Sequence, residues 1–113
     1  MSAVFYNEAA FDAAWIRGVQ LAGPKFFAAS RDAAESTSKW NFCPDFDRIN
    51  DALGVLSTGE AVLLAAMYSF YNSDDGAAML ASLGVGSPGA VAAALDERRR
   101  RVIADLTIAY AGW

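Results

Sequence analysis

Four consecutive arginines, Arg98–Arg101, are the strongest concentration of chemically capable side chains in the sequence. A guanidinium binds carboxylate or phosphate through a planar fork of donors, so the run points to an anionic ligand or an acidic partner surface. Helical spacing separates the four. Asp96 and Glu97 stand four residues before Arg100 and Arg101, and Asp105 stands four after Arg101, so those two charges are compensated locally. Arg99 has Asp96 three residues before it, whereas Arg98 has no acid at helical spacing. Arg98 and Arg99 also fall at the edges of an apolar stripe of Val91, Leu95, Val102, Leu106, Ala109, Tyr110 and Trp113. Arg98 is expected either to lay its methylenes on the core with its head in water, or to present a cationic spot to a partner.

The loop Lys39-Trp40-Asn41-Phe42-Cys43-Pro44 is the second feature. An aromatic on a loop can anchor a partner protein, and Trp40 is the candidate here. Trp40 and Phe42 can equally fold the loop back onto the core. Cys43 is the single cysteine, so no internal disulfide is expected. As a nucleophile it would need a base or a cation to lower its pKa, and only Lys39 is near in sequence. A structural thiol is the expectation.

Several chemistries are excluded. The chain has no histidine, which removes serine and cysteine triads, imidazole zinc sites and the Glu-x-x-His pairs of di-iron bundles. Gly84–Gly89 is glycine-rich but lacks the Lys-Ser/Thr of a phosphate loop, and reads as a helix linker. Asp45-Phe46-Asp47-Arg48-Ile49-Asn50-Asp51 begins like a calcium loop but has neither the glycine at the sixth position nor an acid at the twelfth, which is Leu56. Neither metal nor cofactor is expected, and the spacing of the thirteen acids marks no catalytic pair.

These residues need elements to hold them, and the composition favours helices. The 113 residues are 55% hydrophobic and 19% charged, with 24 alanines, so they can bury a core and suit α-helix. The expected fold is all-α, a single domain over residues 1–113 packed as a bundle of about five or six helices. Asn7 caps a first helix to about Ala22, with Tyr6 and Phe11 placed as a hydrophobic staple. Pro24–Glu35 reads as a second helix, and Asp45 caps a short third one that Gly54 stops. Ser57-Thr58-Gly59-Glu60 matches a capping box opening Thr58–Tyr71, which is apolar nearly all round and therefore central, or part of an oligomer interface. A helix begins after Asn72 and closes at Leu83-Gly84-Val85 in a Schellman motif. Ser87-Pro88 opens a last helix running to about Ala111. No segment reads as a strand.

Charge and flanks narrow the function. The net charge is −4, and Arg98–Trp113 is basic while the rest is acidic, so general nucleic-acid affinity is disfavoured. Neither a secretory leader nor a membrane-spanning run is seen, and a cytoplasmic location is the expectation. The leading reading is a small acidic, non-catalytic protein-binding module of the inhibitor or immunity type, with Arg98, Arg99 and Trp40 as candidate contact residues. Its acidic face would occupy a basic surface on the target, and the apolar helix and Trp113 also allow a homodimer. The alternative is a binder of small anionic ligands, or a minor enzyme, with a pocket between helices near Arg98 lined by Tyr68, Tyr71 or Trp40.

Overall fold

The computed structural model describes residues 7–29 and 38–113. Among them are six α-helices: α1 (Glu8–Ala22), α2 (Phe46–Ala52), α3 (Thr58–Tyr71), α4 (Ser73–Ser82), α5 (Pro88–Ala94) and α6 (Glu97–Ala109). The expected all-α bundle is observed. Most helix starts are set by one residue whose side chain accepts a backbone N–H three residues on, which satisfies a donor the helix leaves free. Asn7, Asp45, Asn72 and Ser87 do this for α1, α2, α4 and α5. At α3 the capping box is complete, because Ser57 accepts from the Glu60 N–H while Glu60 accepts from the Ser57 N–H and hydroxyl. The Schellman close of α4 forms as well: Val85 N–H donates to Leu80 C=O and Gly84 N–H to Ala81 C=O, with Gly84 at φ 77°. The Tyr6 half of the α1 staple lies outside the described residues.

Helix α3 is the axis of the bundle. Every residue from Ala61 to Tyr68 is buried, as a helix without a polar face requires. It packs most extensively on α4 and also meets α1, α5 and α6, while α1 and α6 pack together along one side. Small residues set the closest approach. A Cβ on Gly76 of α4 would come within 2.3 Å of the Ser69 Cα on α3, so glycine is required there.

Three expectations are corrected. Pro24–Glu35 does not begin a helix: Pro24–Phe26 is one 3-10 turn and Phe27–Ala29 is a strand (β1), while residues from 30 to 35 lie outside the described set. Strand structure is therefore present, since β1 pairs antiparallel with β2 (Phe42–Pro44) in the register Phe27–Pro44 and Ala29–Phe42. The cause is tertiary. The ribbon and the turn before it bury Phe26, Phe27 and Phe42, and the Phe42 carbonyl accepts the buried Trp15 Nε1–H at 2.9 Å. The last helix, thirdly, is two: Leu95 is extended, and Asp96 caps a new start by accepting the Arg99 N–H at 3.0 Å.

Candidate functional site

The break between α5 and α6 opens a cleft. Its floor is Ala66, Ser69 and Phe70 of α3, and Ala77 and Leu80 of α4 form one wall. The opposite wall is Val91 and Ala92 of α5, Leu95 just beyond it, and Arg100, Ile103, Ala104 and Thr107 of α6, while Val85–Ser87 and the first residue of α5, Pro88, close one end. The cavity measures about 620 Å³, inside the roughly 300–1,000 Å³ range of small-molecule sites. Alanine explains it. Ala66, Ala77, Ala92 and Ala104 support their helices without filling the space between them.

Arg100 is the charged side chain of this lining. Its Nε donates to Ala92 C=O at 2.7 Å and to Leu95 C=O at 2.9 Å where α5 ends, and Ala92 C=O also accepts the Leu95 N–H at 3.2 Å. The remaining polar side chains are mostly spent on their own helices: Ser69 donates to Ala66 C=O, Thr107 to Ile103 C=O, and Ser87 caps α5.

The other arginines have different fates. Arg99 is only partly exposed and pairs with Asp96 at 2.6 Å, and Arg101 pairs with Glu97 at 3.0 Å. The Arg99 hydrogen bonds hold the Asp96 carboxyl below its ordinary pKa, with a smaller contribution from the Arg98 charge. Arg98 is exposed and forms no ion pair among the described residues. With the last helix split at Leu95, Arg100 reaches the cleft between helices, and Arg98, for which such a pocket was expected, does not.

Trp40 stands elsewhere. It is 58% exposed and packs edge-on against Trp113, beyond the C-terminal end of α6. Arg98 lies near the opposite end of that helix, about 18 Å away at 1.5 Å per residue. The structure therefore does not join Trp40 to Arg98 and Arg99 in one site. Neither Trp40, Tyr68 nor Tyr71 lines the cleft. Phe42 does fold onto the core, as half of the loop expectation has it.

Lys39, considered in the sequence only as the cation near Cys43, is enclosed by aromatic rings. It is 4% exposed, with its Nζ 5.1 Å from the Phe11 ring centroid, 5.0 Å from Trp113 and 5.4 Å from Trp40. Nζ also donates to Gly112 C=O at 3.4 Å, so the cation ties the chain's last residues to the core. No sequence spacing announces this cage, because its aromatics come from residues 11, 40 and 113.

Chemistry at other points is not assembled. Burial pushes the Cys43 thiol up, away from the reactive thiolate. No group of three metal-capable side chains occurs among the described residues, and Asp45 is committed to capping α2. No helix among them is long and apolar enough to cross a membrane. Comparison of the chain with protein-family models, curated proteins and solved structures found no match.

Proposed function

We propose that the protein is a non-catalytic binding protein whose working surface is the cleft between α3, α4, α5 and α6. One observation carries this reading: a cavity of about 620 Å³ is walled almost wholly by apolar side chains in a protein whose remaining core is filled by large ones. An apolar recess exposed to water is costly to keep, and ligand or partner sites are the usual reason for one. The absence of histidine and the raised Cys43 pKa argue for binding over catalysis. The choice between the two sequence readings moves toward the ligand binder, with Arg100 taking the role first given to Arg98.

The test uses N-phenyl-1-naphthylamine, an uncharged dye that brightens in apolar sites. Wild-type protein is expected to enhance its fluorescence saturably. Ala104→Trp, placed on an exposed wall of the cleft, should abolish the enhancement with little change in melting temperature. Enhancement that is equal in the variant, or absent in both, refutes the cleft as a site.

A second reading rests on a separate face. Ile108 is 78% exposed beside a shallow recess of about 300 Å³ lined by Ala10, Ala13, Ala14, Arg17, Asp105 and Ala109. A protein partner, or a second copy, seated there is the form the protein-binding module takes on this fold. Sedimentation of wild type and Ile108→Lys separates them: loss of a dimer in the variant favours self-association.

A further inference from the structure

Resting on the cleft reading, we infer that the guest is a single-chain anionic amphiphile, an alkyl carboxylate whose head group sits on Arg100 and whose chain lies between the alanines of the cleft floor and walls. The argument is one of elimination by hydrogen bonding. A guest rich in hydroxyls or amides would need donors and acceptors from the walls, and unmet polar groups cost binding. The Ser69 and Thr107 hydroxyls already donate to Ala66 and Ile103 carbonyls of their own helices, and Ser87 is engaged at the start of α5. What remains for a guest is the acceptor side of the Ser69 and Thr107 hydroxyls and the Ser87 O–H, against walls that are otherwise apolar, so an apolar body fits best.

Arg100 supplies the charged exception. Its Nε edge is fastened to the Ala92 and Leu95 carbonyls, which fixes the guanidinium plane at the mouth of the cleft. Both terminal amines are left without a protein partner among the described residues. Their end-on pair of N–H groups matches the two oxygens of a carboxylate. The anchoring also means that little side-chain freedom is lost when the guest arrives. Arg98 and Arg101 show the contrast, since one is free in solvent and the other is held by Glu97 away from any apolar wall.

The experiment is competition against bound N-phenyl-1-naphthylamine above the carboxylate pKa, with octanoate, decanoate, dodecanoate and decanol. Decanoate is expected to displace the dye at a concentration at least about tenfold below that of decanol, because a hydrogen bond to a charged group separates them. Affinity should rise about fourfold per added methylene until the cleft is filled. Arg100→Gln should erase the decanoate–decanol difference while decanol still competes. If the two displace equally from wild type while the dye binds, the cleft stands and the carboxylate inference is overturned. If no dye binds, both fall. Dye that binds only on dilution, as a dimer dissociates in sedimentation, makes a second copy the occupant and overturns the inference. Arg100 also closes the end of α5, so a variant that fails to melt cooperatively is replaced as evidence by the wild-type decanoate–decanol ratio, which decides alone.

Discussion

The two flanks of α3 are packed by opposite means. On one, Trp113 stacks edge-on with Trp15 at 4.7 Å, with Tyr71 at 5.1 Å and with Trp40 at 5.8 Å, and Lys39 is enclosed among the rings. On the other, alanines of α3, α4, α5 and α6 face each other across an unfilled cleft. Both flanks are made of good helix formers or helix-tolerated residues, and both are apolar. What differs is side-chain volume per helix contact. An alanine-rich sequence forms helices readily, but helices held apart by other contacts leave space wherever alanine meets alanine. The aromatic flank holds the bundle together, and the alanine flank leaves the open space on which the proposed binding site rests.

The largest effect that would test this contrast is on the aromatic side. Trp15 is fully buried, and its indole N–H satisfies the Phe42 carbonyl of the ribbon. Trp15→Ala is expected to remove about 3–5 kcal/mol, as large-to-small changes in packed cores do. Urea unfolding measures it. A loss below about 1 kcal/mol would mean that the aromatic flank is as loosely packed as the cleft.

An intermediate effect compares added volume at the α3–α4 contact and in the cleft. Gly76→Ala forces a methyl into the Ser69 backbone and is expected to cost about 1–3 kcal/mol by pushing α4 off α3. Ala104→Leu adds three carbons to the cleft wall and should stay within about 0.5 kcal/mol of wild type. Equal penalties would show that the cleft is not open space.

The smallest effect is in pH dependence and has opposite signs at two acids. Hydrogen bonds from Ser57 lower the Glu60 pKa, so its ionised form stabilises the fold above the ordinary glutamate value. That contribution fades as pH falls through the lowered folded value. Burial raises the Asp12 pKa beside the Lys39 cage, only partly offset by the Lys39 backbone N–H. Its ionised form is therefore a penalty that is full above the raised folded value and absent below the ordinary aspartate value. Near neutral pH, Glu60→Gln should lower the melting temperature and Asp12→Asn should raise it slightly. Both differences should shrink in acid. Differences of the same sign near neutral pH would contradict the assignment of burial as the dominant cause at Asp12.

Local signals in the sequence were read correctly because their physics is local. Asn7, Asp45, Ser57, Asn72 and Ser87 each act on a backbone N–H three residues away, so cap and helix start are visible together. The Gly84-Val85 close of α4 is of the same kind. Asp96 carries an equally local cap, but the apolar stripe of Val91, Leu95 and Val102 continues in helical register across it. Periodicity therefore hides the cap, and with it the break that brings Arg100 to the Ala92 and Leu95 carbonyls.

By itself, then, the sequence determined that the chain is a helical bundle containing one helix that is apolar nearly all round, and that histidine-based chemistry is excluded. Tertiary structure alone decided that Phe27–Ala29 pairs with Phe42–Pro44 as strands, that Lys39 is enclosed by Phe11, Trp40 and Trp113, and that the cleft opens at Arg100. The reason is the range of the forces. A cap or a helical stripe is settled within a few residues, whereas a ribbon, a cage or a cavity depends on which side chains distant segments bring to the same place and how much volume they fill there.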